Sequence, residues 1–219
     1  MSDKPWRDLV DNHDSFTDDQ VANLMRAPGV GVENRGRRRI AQYLAQQDSP
    51  SVLDAACGNC VNYEAFSSII PGNDFTYVGV DRGHRFLDNA FRRYGENDNF
   101  SVVNGFIEEL PFEDDSHDFV IIRHVLEHLP EGYEVAIEEA LRVARYAAIV
   151  VFFEPLTTCE DKINKHGPDE HGASYYWNTY NGDKFEEFIN GLPIVKNVDM
   201  ETVATPGAHH YDTIFYLSK

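Results

Sequence analysis

Short apolar runs alternate along this chain with stretches whose apolar positions recur every three or four residues. Continuous or period-two runs near 51–55, 75–80, 100–104, 118–123, 147–153, 194–201 and 211–217 predict seven strands. Between them, Arg82 to Tyr94 offers Phe86, Leu87, Ala90 and Phe91, and Glu131 to Arg145 offers Ile137, Ala140, Leu141 and Ala144. That spacing puts one apolar stripe on each helix, so both predict crossover helices of βαβ units on a mostly parallel sheet.

The last two strands break the pattern. Only Ala204 to His210 separates them, too short for the crossover that a parallel partner requires, so they are expected to pair antiparallel. Ahead of the first strand, Asp14 to Gln47 reads as two helices split by Pro28 and Gly29, with Asp14 or Thr17 as caps. Thr157 to Asn178 mixes Gly, Pro, His and aromatics without a period, as functional loops often do. The expected fold is α/β: a Rossmann-like, doubly wound, seven-stranded, mostly parallel sheet with a last antiparallel strand and N-terminal helices.

Composition narrows the class. With 219 residues, 42% of them hydrophobic, the chain fits one α/β domain with a full core. Its first residues are polar and acidic, and no window holds the 18 or more apolar residues of a membrane span, so a soluble, cytoplasmic protein without a membrane partner is expected. Three cysteines do not make the dense disulfide framework of small secreted domains. A formal charge of −18 disfavours nucleic acid, whose phosphates are bound through Lys and Arg. The run Arg35, Arg37, Arg38, Arg39 is the exception; it reads as a solvated helix face paired with nearby acids, or as a contact to an anionic acceptor.

The densest chemistry lies in Ser51 to Cys60, where an apolar strand meets Asp54 and then a turn of small residues. Ligands of open parallel sheets sit beyond the carboxyl ends of the strands, which is where this turn falls. Gly58 allows close backbone approach, and a helix starting near Cys60 or Val61 offers free N–H groups. The fingerprint G-x-G-x-x-G is not met, since Ala56 and Val61 stand at the outer places when Gly58 takes the middle one. Asp81 ends the second strand 23 residues past Gly58, near the spacing of about 20 at which an acid grips ribose hydroxyls. Alone it serves equally as a helix cap; beside Asp54 and Gly58 it reads as a ligand.

These residues resemble the class I S-adenosylmethionine-dependent methyltransferases, in particular the type 11-like small-molecule enzymes. Val52 to Cys60 is similar to their first motif and Tyr77-Val-Gly-Val-Asp81 to their second. Glu109-Leu-Pro-Phe112 and Asp118 to His128 are similar to the region around their fourth strand. The resemblance implies S-adenosyl-L-methionine as cofactor. Its site would comprise Asp54, Ala55, Ala56, Cys57, Gly58 and Cys60 around the methionine portion, Asp81 on the ribose with Arg82 beside it, Gly105, Phe106 and Ile107 about adenine, and Arg123 at the end of the fourth strand. Two places depart from the family: Ala56 and Cys60 stand where glycine is usual, and Gly105-Phe106-Ile107 replaces the acid that meets the adenine amine. Phe106 either stacks on adenine or fills core. The chain then divides as one methyltransferase domain over 1–219, with an N-terminal helical cap at 1–48, a cofactor core at 50–155, and an acceptor-side insertion and final strands at 156–219.

Two other motifs compete. Cys57-Gly-Asn-Cys60 at a strand-to-helix turn has the place of a dithiol oxidoreductase pair, but that reading gives Asp54 and Asp81 no role. His124-Val-Leu-Glu-His128 matches the H-x-x-E-H of zinc hydrolases, which requires a continuous helix; here a strand ends at Arg123 and Pro130 follows, so no metal is expected. A binding-only protein of the same fold, or a nicotinamide enzyme, stays open because fold does not fix chemistry.

For methyl transfer the protein must chiefly align the acceptor and exclude water. His124 and His128 are the candidate catalytic residues; His124, with an ordinary pKa near 6.5, is either a general base for a hydroxyl or amine or a wall of the pocket. Glu154, His171, Tyr176, Trp177, Asn178, Tyr180, His209 and Tyr211 are the candidate substrate contacts. Their mix of rings and hydrogen-bonding groups suits a small aromatic or sugar-like acceptor methylated on oxygen or nitrogen.

Overall fold

The structure, a computed structural model, describes residues 34–153, 155–167, 175–204 and 211–219. Asn34 opens the first described helix, α1 (Arg35–Leu44), its side chain accepting from the Arg37 N–H at 2.9 Å. There follow β1 (Ser51–Ala55), α2 (Val61–Ile69), β2 (Thr76–Asp81), α3 (His84–Tyr94), β3 (Phe100–Asn104) and β4 (His117–Arg123). A 3₁₀ turn at Leu126–His128 leads to α4 (Glu134–Val143) and β5 (Ala144–Phe152). A two-stranded pair, β6 (Lys165–His166) and β7 (Tyr175–Tyr176), precedes α5 (Gly182–Gly191), β8 (Asn197–Ala204) and β9 (Tyr211–Ser218). The seven strands expected from the apolar runs are all present within a few residues. The helices assigned to the region before Arg35, with their Asp14 or Thr17 caps, lie outside the described residues.

The main sheet runs β3-β2-β1-β4-β5-β9-β8, parallel from β3 through β5, with β9 antiparallel to both β5 and β8. Period two sorts its side chains into two layers. Leu53, Ala55, Val120, Ile122, Val150, Phe152, Phe215 and Leu217 face one way, against Ile137 and Leu141 of α4 and Phe185 of α5. Val52, Tyr77, Phe119, Ile121, Ile149, Val151, Ile214 and Tyr216 face the other, against α1 (Ile40, Leu44), α2 (Phe66) and α3 (Ala90).

At the carboxyl end of the sheet the second layer changes character. The next inward positions along β1, β4 and β9 are Asp54, Arg123 and Asp212, all at most 8% exposed. Arg37 of α1 and Asn62 of α2 are buried beside them. The apolar layer thus gives way to a buried polar cluster under the turns that follow β1 and β4.

Candidate active site

The turn after β1 is held in an unusual backbone state. Ala56, Gly58 and Cys60 all have positive φ, at 62°, 54° and 55°. Glycine costs nothing there, whereas a residue with a Cβ is strained by roughly 1–2 kcal/mol. Ala56 and Cys60, which stand where glycine is usual in the family that the sequence resembles, therefore keep the turn under strain. Hydrogen bonds hold it: the Cys57 N–H donates to the Val80 carbonyl at 2.9 Å and the Cys60 N–H to the Cys57 carbonyl at 2.9 Å. Gly79 permits the packing, since a Cβ there would lie 2.8 Å from both Cys57 Sγ and Cys60 Sγ.

Asp81 joins this turn to the next. Its Oδ2 accepts from the Gly58 N–H and its Oδ1 from the Gly83 N–H, both at 2.8 Å. Burial raises its pKa, against the lowering by these two amides. Each carboxylate oxygen accepts more than one hydrogen bond, so acceptor capacity remains for a diol. Above Gly58 a Cβ would meet nothing within 4 Å, so the face of the turn is open. A strand-end carboxylate beside an open left-handed turn suits a ribose-bearing cofactor. Arg82 is half-buried, its carbonyl taking the Asn104 amide at 3.0 Å, and Phe106 is half-buried at the head of a bridge to Glu109.

Three expected cofactor residues stand behind this surface. Asp54 is 1% exposed, and its carboxylate accepts from Asn62 Nδ2 at 3.0 and 3.1 Å and from the Tyr77 hydroxyl at 2.5 Å. Burial pushes its pKa up to about 6. It anchors the base of the turn. Ile107 is 6% exposed and packs into the core beside Val80 and Leu110, and Gly105 lets Val80 and Pro111 approach closely. Arg123 is buried, with an η nitrogen 3.0 Å from Asp212 Oδ2. The arginine run divides in the same way. Arg37 is buried, hydrogen-bonded to Asn62, and lowered to about 9 by burial and by Arg123, whereas Arg39 is exposed and pairs with Glu201 at 2.8 Å.

His124 sits one residue past β4 with φ 57°, its N–H donating to the Val151 carbonyl at 3.0 Å. Its Nε2 lies 2.6 Å from Asp212 Oδ1. Burial, and then the Arg123 charge, lower its pKa to about 3 despite Asp212. A histidine so placed is neutral across the ordinary pH range and is no base poised near 6.5. Asp212 itself is held well below the usual carboxylate range by His124 and Arg123, against its burial. His128 Nδ1 lies 2.8 Å from the Tyr176 carbonyl, and burial lowers its pKa as well.

Phe153 sits among these rings, with centroids 5.3 Å from His124, 5.8 Å from His128 and 5.0 Å from Trp177. Trp177 is 39% exposed, Tyr176 half-buried, and Tyr211 is 54% exposed at the head of β9. Two expected substrate contacts prove to be scaffold. Asn178 is fully buried, its Nδ2 donating to the Leu129 carbonyl and the Tyr180 hydroxyl, its Oδ1 accepting from the Asn164 N–H. Tyr180 is 3% exposed, with its hydroxyl on the Leu126 carbonyl at 2.7 Å. Their polar groups secure the loop after β4, where a neighbouring backbone leaves carbonyls to be satisfied. Glu154, His171 and His209 lie outside the described residues.

The competing motifs fare poorly. Leu126–His128 is a 3₁₀ turn, so His124 and His128 do not share a helix face. Among the described residues no group of three or more His, Cys, Asp or Glu side chains gathers as a metal site. The Cys57 thiol is pushed well up by burial and by its neighbour Cys60, the reverse of an activated redox thiol.

Sequence reasoning passed over Asp212. The available signal was an acid at an inward position of the run Tyr-Asp-Thr-Ile-Phe-Tyr-Leu, because a charge facing a core demands a partner.

The order of the strands and the helices packed on them give the fold of solved S-adenosylmethionine-dependent methyltransferases. A family described as a methyltransferase domain matches residues 53–152. A demethylmenaquinone methyltransferase of Staphylococcus aureus is 30% identical over 118 residues, 54% of this chain and 48% of the relative. The chain thus spans about half the length of the curated relatives it matches. Among solved structures, a SAM-dependent methyltransferase from Aquifex aeolicus superposes with a TM-score of 0.63 at 15% identity, covering 93% of this chain and 98% of that one. The Burkholderia thailandensis 1,6-didemethyltoxoflavin-N1-methyltransferase, solved with its acceptor and S-adenosylhomocysteine, gives 0.60 at 17% identity, covering 84% and 77%. No helix among the described residues is long and apolar enough to cross a membrane.

Proposed function

We propose that this chain transfers the methyl group of S-adenosylmethionine to an oxygen or nitrogen of a small, ring-bearing acceptor. The observation that carries the reading is Asp81, a strand-end carboxylate bonded to the Gly58 and Gly83 amides beneath an open turn. In this reading Ala56, Cys57 and Gly58 form the floor with the fully buried Ala55 and Cys60 beneath it, Asp81 and Arg82 the ribose side, and Gly105 and Phe106 the adenine side. Asp54, Ile107 and Arg123 support it from behind.

The bound cofactor supplies an activated methyl group, so the protein's work is alignment and exclusion of water. His128, Phe153 and Trp177 make an aromatic wall next to His124, suited to a planar acceptor. The names of the similar proteins, one acting on demethylmenaquinone and one on 1,6-didemethyltoxoflavin, favour such an acceptor. His124, held neutral, orients the acceptor by a hydrogen bond.

Thermal unfolding tests the cofactor. S-adenosylhomocysteine at 100 times its dissociation constant should add about 2.7 kcal/mol of stability, whereas NAD should add none. A shift with NAD alone overturns the reading. Methyl transfer from labelled cofactor across a set of ring-bearing and sugar-like metabolites then identifies the acceptor; transfer only to sugars would remove the aromatic assignment.

A further inference from the structure

The geometry points to Asp212 as the positioning residue of His124, the group that decides which ring nitrogen presents a lone pair to the acceptor. This rests on the reading that His124 faces the acceptor. The two residues are 88 positions apart in the sequence and meet where β9 lies beside β5 and close to the end of β4. Asp212 is 1% exposed and its two oxygens have different partners: Oδ1 is 2.6 Å from His124 Nε2, and Oδ2 is 3.0 Å from the Arg123 guanidinium.

The tautomer follows from the partners. An ionised carboxylate only accepts, so the Nε2 facing it carries the proton and the lone pair of the neutral ring falls on Nδ1. Three features fix the arrangement. The His124 backbone is locked in the left-handed region by its bond to Val151. Arg123 holds the second carboxylate oxygen, so the group cannot rotate without breaking an ion pair. Above it, Gly36 of α1 leaves room for nothing larger than hydrogen, since a Cβ there would lie 1.9 Å from Asp212 Oδ2. A counterion for Arg123 alone would need neither the short contact to His124 nor the strained His124 backbone.

Asp212→Asn separates this role from a merely structural one. Arg123 can only donate, so the new amide must turn its oxygen to Arg123 and its NH₂ to His124. The NH₂ then donates to Nε2, which forces the proton onto Nδ1. In protein labelled with ¹⁵N-histidine, two-bond correlations should show wild-type His124 as the Nε2–H tautomer and the variant as Nδ1–H. With this flip, kcat should fall roughly tenfold or more, the loss expected when the hydrogen bond that orients the acceptor is broken, while S-adenosylhomocysteine affinity stays within about twofold. If Asp212→Asn fails to fold, Gly36→Ala crowds the carboxylate and should give His124 a mixed tautomer population. Unchanged His124 tautomers in the folded variant overturn the proposal, as does a kcat loss that merely tracks lost cofactor affinity. Wild-type protein that binds no S-adenosylhomocysteine would instead overturn the proposed function, and the tautomer measurement would still decide the role of Asp212.

Discussion

Asp81 accepts the Gly58 amide across 23 residues of sequence, so the carboxylate that ends β2 also holds the turn that follows β1. The loop anchor and the proposed cofactor ligand are one side chain. Asp81→Ala should lower S-adenosylhomocysteine affinity about 100-fold or more, since charge-assisted hydrogen bonds contribute roughly 1.5–3 kcal/mol each. It should also loosen the turn, seen as faster amide exchange at Gly58 and Gly83. Titration calorimetry checks the first effect, and affinity within threefold of wild type would remove Asp81 from the site.

Cys57 and Cys60 should behave as packing residues. Cys159 is exposed, Cys57 half-buried with a raised pKa, and Cys60 buried. A thiol reagent at neutral pH should label Cys159 in minutes and Cys57 and Cys60 only on unfolding. Rapid reaction at Cys57 would revive the dithiol alternative.

Gly79 and Cys60 should be coupled. Gly79→Ala places a methyl 2.8 Å from two sulfurs and should cost about 1–3 kcal/mol by overpacking. Cys60→Gly removes one of those sulfurs and also frees a left-handed position. In urea unfolding the double variant should be more stable than the sum of the two single changes predicts, by about 1 kcal/mol. Simple additivity would contradict the packing described.

Two titrating groups, His124 and Asp54, set opposing pH trends. His124, lowered to about 3 from its ordinary 6.5, stays neutral when folded while the unfolded chain takes up a proton, so between those values it removes stability as pH falls. Asp54, raised to about 6 from 3.8, binds its proton first in the folded chain, so between those values it adds stability as pH falls. Relative to wild type, His124→Gln should therefore gain on the order of 2 kcal/mol between pH 7.5 and 4.5, and Asp54→Asn should lose stability over the same interval. Denaturant titrations at the two pH values read both signs.

Trp177→Ala should raise the acceptor KM several-fold and leave cofactor affinity unchanged, because its ring belongs to the wall made with Phe153 and His128. A change in cofactor affinity alone would move Trp177 out of the acceptor wall.

Seven strands, their crossover helices and the antiparallel close were legible in the sequence, because burial imposes a period of two or 3.6 that local apolar positions record. The meeting of the turn at Ser51 to Cys60 with the acid at Asp81 was legible too, since both end neighbouring parallel strands and the Gly58 amide bonds to that carboxylate. Tertiary structure decided which polar side chains face a ligand and which face one another. Asp54, Arg123, Asn178 and Tyr180 carry the residue types of a site, yet each is occupied by partners from other elements, Asp54 by Tyr77 and Arg123 by Asp212. His124 changed meaning in the same way, from a base with an ordinary pKa to a neutral ring set by Arg123 and Asp212. Periodicity is a property of neighbours along the chain; the pairing of a buried charge depends on contacts that only the folded chain creates.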